Sequence, residues 1–170
     1  AIKDMAGLLR PAAAAKLVAA LREHPRAGDL ELSRVVKVAR ATVQSRLAKM
    51  EAAGVITGYG PDVDLTAAGH PVLAFATLEI AQGRLEDVRA ELDSLPNVLE
   101  AYVTSGTADV VCKIAASSHA DLQDVLLHMS TSGSIVRSTS IVVLSELVAP
   151  RVLPVLARDV QAGGRAPRYR

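Results

Sequence analysis

Apolar residues return at helical spacing through residues 39–54. Val43, Leu47 and Met50 stand at i, i+4 and i+7, one stripe of an α-helix. The opposite side carries Ala41, Gln44, Ser45, Ala48 and Lys49, with Thr42 beside them. Gly54 closes this helix as a left-handed cap. Upstream, Leu17, Val18 and Leu21 share one face of a helix over Lys16 to Glu23. His24-Pro25-Arg26-Ala27-Gly28 breaks it, because Pro25 restricts His24 and Gly28 frees the backbone. A second helix runs from Asp29 to Val36, with Leu32, Val35 and Val36 inward and Asp29 in its first turn or at its N-cap. Only Lys37 to Arg40 separate it from the long helix. Three short helices with a tight turn between the last two form a helix-turn-helix. Val55 to Tyr59 reads as a short strand after it, and residues 1–11 as a short helix with Leu8 and Leu9 buried.

From Pro71 the rhythm changes. Strands are predicted over Val72–Ala81, Val98–Thr104, Asp109–Ala115 and Ile135–Leu144. Helices are marked by Leu85, Val88 and Leu92, and by Leu122, Val125, Leu126 and Met129. The order βαββαβ is the ferredoxin-like split βαβ arrangement. In the first strand Val72, Ala74, Ala76, Leu78 and Ile80 share one face, and Leu73, Phe75 and Thr77 the other. Both helices of such a unit cover the same face, so a second copy of the sheet is the simplest cover for the other. Gly60-Pro61-Asp62 and Gly69-His70-Pro71 are turn signals that make residues 59–70 a linker, with His70 a solvated residue in it. The domains expected are therefore 1–58 for the helix-turn-helix, 71–148 for the βαββαβ unit, and 149–170 for a C-terminal extension. Val152 to Val160 in that extension reads as a helix adding to the contact between copies, ahead of a disordered arginine-rich end.

Charge sharpens this division. The net charge of +1 conceals +5 on residues 1–58, −8 on 59–148 and +4 on 149–170. A basic head on an acidic body says which end meets a polyanion. Half the residues are apolar, enough for a core, and no apolar run reaches membrane-spanning length. No secretory signal is visible, and a start at Ala1 is the mark of a trimmed or incomplete N-terminus. The single Cys112 rules out an intramolecular disulfide and suits the cytosol. In register with Val110 and Ile114, it reads as a small core residue. No metal-ligand spacing, phosphate-binding Gly-rich loop or nucleophile elbow is present. His119 and His128 are nine residues apart and point to opposite sides of their helix. No catalytic residues, metal or cofactor are expected.

A helix with one anchored face and a thin, cationic, hydrogen-bonding outer face fits the major groove of DNA. Arg40, Thr42, Gln44, Ser45 and Lys49 are the residues expected to face it. Arg40 or Gln44 would read base edges, while Thr42, Ser45 and Lys49 would hold phosphates. Arg46 flanks the apolar stripe and is expected to brace the domain.

The run RAGDLELSRVVKVARATVQSRLAKMEAAGVITGY resembles the N-terminal domain of the Lrp/AsnC family of bacterial and archaeal transcription regulators, and the likeness continues to about Leu147. Glu31-Leu32, Thr42-Val43, Arg46-Leu47, Glu51, Gly54-Val55-Ile56 and Gly58-Tyr59 stand where that family has its usual residues. Two positions depart: Lys37 replaces the usual Gly of the tight turn, and Ala39 the usual capping Ser. Each costs about 1 kcal/mol.

The resemblance implies a fold: α+β, a winged helix-turn-helix domain followed by a ferredoxin-like βαββαβ effector domain. It also implies a function: a cytoplasmic, sequence-specific regulator of double-stranded DNA, controlled by an amino acid. Copies would form homodimers and higher even-numbered assemblies. Effectors would bind beside the turn Gly106-Thr107-Ala108-Asp109. There Gly106, which tolerates positive φ, would leave N–H groups free for a carboxylate, and Asp109 would pair with an ammonium group. Ser138 and Ser140 would add hydroxyls. Two alternatives stand beside this reading. One is an architectural DNA-binding protein without effector sensing. The other resembles siroheme decarboxylases of the same build, although a domain of charge −8 repels their polyanionic substrate and aromatic residues are scarce.

Overall fold

The structure, a computed structural model, describes residues 11–162 and divides into two units. The helix expected near Leu8 and Leu9 and the arginine-rich end through Arg170 lie outside the described residues.

The first unit comprises residues up to Pro61 together with those from Ala149 on. It contains α1 (Pro11–Glu23), α2 (Asp29–Val36), α3 (Arg40–Ala52) and α6 (Leu153–Ala162). Leu17, Ala20, Leu32, Val43 and Met50 form its buried centre, with Val36, Val38, Leu47, Val55 and Ile56 packed around them. Helix α1 starts earlier than its apolar stripe, since Pro11 is favourable in a first turn and four alanines follow. The α2–α3 turn runs through Lys37 at φ 57°, ψ 50°, the one non-glycine at positive φ among the described residues. The N–H groups of Lys37 and Val38 both bond to the Ser33 carbonyl and close the helix end.

Val55 to Tyr59 is not a strand. The N–H groups of Val55 and Ile56 both donate to the Met50 carbonyl, at 2.8 and 3.2 Å. The chain therefore folds back over the end of α3, past Gly54 at φ +68°, and buries its apolar residues in the core instead of pairing. Among the described residues no strand forms a wing beside α3. The C-terminal helix, expected to join a contact between copies, packs in this chain against α1, with Leu153 and Leu156 half-buried.

The second unit, Asp62–Val148, holds β1 (Val72–Ile80), α4 (Leu85–Ser94), β2 (Val98–Val103), β3 (Val110–Ala116), α5 (His119–Ser130) and β4 (Ile135–Val142). The strands form one antiparallel sheet in the order β2-β3-β1-β4. Val88 and Leu92 of α4 and Leu122, Val125 and Met129 of α5 cover Ala74, Ala76, Leu78, Cys112 and Ile114. Alanines at the centre of β1 leave room for the two helices. Cys112 is buried and its Sγ donates to the Ala76 carbonyl at 3.6 Å. Burial pushes its thiol pKa up, which suits a core residue and not a nucleophile. The stretch before β1 carries a turn in which the Asp64 carboxylate accepts from the N–H groups of Thr66 and Ala67. His70 beyond it is exposed.

Candidate nucleic-acid interface and effector site

Helix α3 is anchored by Val43 and Met50, both buried, and by the half-buried Leu47. This fixes its rotation, and the other side turns outward. Arg40, Ala41, Gln44, Ser45, Ala48 and Lys49 are all exposed, and Thr42 is half-buried beside them. Arg46 is half-buried at the edge of the stripe. No side chain caps the helix at Ala39, whose carbonyl takes the N–H groups of Thr42 and Val43. Among the described residues, Arg40, Thr42, Ser45 and Lys49 have no side-chain partner. Gln44 does: its Nε2 donates to Asp29 Oδ2 at 2.8 Å.

Past the helix, the Tyr59 hydroxyl donates to Glu51 Oε1 at 2.5 Å. Partial desolvation of the hydroxyl, on a residue that is 62% exposed, and the Glu51 carboxylate push its pKa up to about 12. Pattern reading missed both polar ties, Gln44–Asp29 and Tyr59–Glu51, because each joins residues far apart in sequence.

In the second unit the turn 106–109 projects between β2 and β3. It is closed by the Thr104 N–H on the Asp109 carbonyl, 2.8 Å, and the Thr104 hydroxyl on the Ala108 carbonyl, 2.5 Å. Gly106 tolerates positive φ but does not take it in this turn. A loop this wide reverses the chain without a left-handed residue, and nothing lies within 4 Å of a Cβ placed there. Gly106 and Thr107 are exposed and Ala108 half-buried. Asp109 anchors the turn to β1: its N–H donates to the Leu78 carbonyl, and its Oδ2 accepts from the Ile80 N–H at 2.8 Å. Oδ1 has no partner among the described residues.

Strand β1 lies between this carboxylate, at the start of β3, and the two serines on β4. Ser138 and Ser140 pair with Leu78 and Ala76 and share their helix-covered side. Asp109 lies just before β3 and turns its carboxylate to the Ile80 N–H at the end of β1, while Glu79 and Arg137 occupy the side of the sheet that the helices leave open. On that open side Arg137 lies 3.8 Å from Glu79.

A cleft of about 510 Å³ lies between α4 and β2. Val88, Leu92 and Val110 line it, with Arg89, Glu100 and Tyr102 also on its walls. Tyr102 donates to Glu100, and Lys113 stands 3.3 Å from the same carboxylate. Those bonds, Tyr102 first, hold the Glu100 carboxyl below its ordinary pKa. The sequence marks Val88, Leu92 and Val110 only as apolar element positions and gives Arg89, Glu100, Tyr102 and Lys113 no site role, because the cleft depends on where edge strand β2 emerges from under α4.

A helix-turn-helix head joined to a separate antiparallel α+β domain defines a DNA-binding regulator with its own sensory unit. The chain belongs to the Lrp/AsnC family of transcriptional regulators. The model of the AsnC-type helix-turn-helix domain matches residues 15–51, and that of the Lrp/AsnC ligand binding domain matches residues 73–153. The HTH-type transcriptional regulator Rv2324 of Mycobacterium tuberculosis is 31% identical over 135 residues, 78% of this chain and 90% of that relative. The structure of AsnC from Escherichia coli superposes with a TM-score of 0.77 at 28% identity, over 84% of this chain and 97% of that one. A feast or famine regulatory protein of M. tuberculosis, complexed with L-methionine, superposes with a TM-score of 0.72 at 27% identity, over 80% and 92%. Among the described residues no helix is long and apolar enough to cross a membrane.

Proposed function

We infer that this chain reads specific DNA sequences through the outer face of α3 and responds to an amino acid bound by its βαββαβ domain. The observation that carries the reading is that face: five exposed, short or hydrogen-bonding residues, Ala41, Gln44, Ser45, Ala48 and Lys49, on a helix locked by Val43 and Met50. Arg40 and Gln44 are the base-reading candidates, and Thr42, Ser45 and Lys49 the phosphate contacts. In the second domain the open Oδ1 of Asp109 suits an ammonium group, and the turn 106–108 offers exposed backbone beside it. The methionine held by a relative supports an amino acid as the ligand class. Ser138 and Ser140, across β1 from Asp109, are the hydroxyl donors assigned to the same site. The oligomer is a homodimer or a higher even-numbered assembly built on the open sheet face, and the working compartment is the cytoplasm. The relatives are named as regulators, and regulation without catalysis is the role assigned here. Genome-wide capture of DNA by the protein, with and without a panel of amino acids, tests this directly. Recovery of a common sequence whose occupancy changes with one amino acid supports the reading, and sequence-independent recovery contradicts it.

A further inference from the structure

Of the polar side chains on the outer face of α3, Gln44 is the one tied to another element. Its acceptor, Asp29, is the first residue of α2 and half-buried. A carboxylate is favoured there by the unpaired N–H groups of the helix start, and its hydrogen-bond partner is the Gln44 amide. A carboxylate only accepts, so the amide must turn its nitrogen toward Asp29.

We propose that Asp29 is a positioning residue for base reading. It orients the Gln44 amide so that Oε1 and the second N–H of Nε2 remain as an adjacent acceptor–donor pair aimed off the helix. That pair complements adenine N6 and N7 in the major groove. An unanchored glutamine spreads over several rotamers and both amide orientations, and loses that freedom on binding. The inference rests on α3 being the helix that meets DNA. Asp29 has a second, separable effect: a carboxylate near a polyanion weakens binding to every sequence alike.

The test starts from a duplex that the protein recovers from a randomised pool. Each base pair is substituted in turn, and affinities are measured for the parent, Gln44→Ala, Asp29→Ala, Asp29→Ser and Asp29→Asn. Gln44→Ala is expected to reduce discrimination at one A·T pair from roughly tenfold or more to about twofold or less. Asp29→Ala and Asp29→Ser, which cannot reach Gln44, lose the same discrimination at the same pair and nowhere else. Asp29→Asn keeps an acceptor without the charge, so it retains the discrimination while binding all duplexes more tightly. Discrimination is a ratio measured on one preparation, so a partly unfolded variant does not mimic its loss. Full discrimination in Asp29→Ala and Asp29→Ser, with loss in Gln44→Ala, overturns the positioning role and leaves α3 as the reading helix. Unchanged discrimination in Gln44→Ala overturns both.

Discussion

Phe75 of β1 stands directly opposite Ile141 of β4, on the sheet face that neither helix covers. The two are 40% and 61% exposed in the single chain, with Leu73 and Val143 half-buried nearby. An apolar patch of this kind marks a contact surface. Phe75→Asp removes an apolar anchor once per copy, about 3–6 kcal/mol across a two-fold contact. Sedimentation of the parent is expected to give a dimer or larger even assembly at micromolar concentration, and the variant a monomer. A monomeric parent contradicts the account.

Lys37 and Ala39 leave stability unrealised in the head. Lys37 occupies a left-handed conformation, and Ala39 supplies no side-chain cap. Ala39→Ser is expected to add about 1 kcal/mol. Lys37→Gly adds less than about 1 kcal/mol, because relief of the turn is partly offset by the freedom of glycine in the unfolded chain. Thermal unfolding reads both, and a lower midpoint for either variant contradicts the assignment.

The helix-turn-helix and the left-handed Gly54 were legible because their signals are local, Val43 and Met50 at helical spacing and Leu32 and Val36 before the turn, whereas the special turn at Lys37 was legible through the family resemblance. The alternation of β1 placed Ala74, Ala76 and Leu78 on the covered face for the same reason. What stayed hidden depends on competition between distant groups. Val55 and Ile56 have strand composition, but the core under α3 takes them. Ser138 alternates correctly within β4, yet that β1 lies between it and Asp109 follows from the sheet order β2-β3-β1-β4. The packing of α6 on α1 joins residues from the two ends of the chain, beyond the reach of any local pattern.

Tyr59 gives the head a pH signature. Its phenol pKa is raised to about 12 by partial desolvation of the hydroxyl and by the Glu51 carboxylate. A raised pKa favours the protonated phenol in the folded state, so this stabilisation is present below about pH 10 and is lost as pH rises towards the folded value. Ultraviolet titration of the three tyrosines should show one ionising near 12. Glu51→Gln should bring it back towards the ordinary value, and an unchanged titration contradicts the Tyr59–Glu51 bond.

Asp109 holds the Ile80 N–H and, in the proposed effector site, offers Oδ1 to a ligand. Asp109→Asn keeps a carbonyl for Ile80 and therefore keeps stability, but it loses the charge that pairs with an ammonium group. Calorimetry against the twenty amino acids should find a ligand for the parent and an affinity lower by about tenfold or more in Asp109→Asn. Asp109→Ala should in addition lose about 1 kcal/mol of stability. A ligand that binds Asp109→Asn as it binds the parent removes Asp109 from the site.

Whether α3 reads DNA sequence is decided by a salt-dependent binding titration. A duplex selected from a random pool is compared with a scrambled one, using the parent, Gln44→Ala and Lys49→Ala. The account predicts a clear preference for the selected duplex, with Gln44→Ala losing about 1–3 kcal/mol of it at one base pair. Lys49→Ala should weaken both duplexes alike and reduce the salt slope by about one. Equal affinity of the parent for the two duplexes, or variants that bind as the parent does, would contradict it.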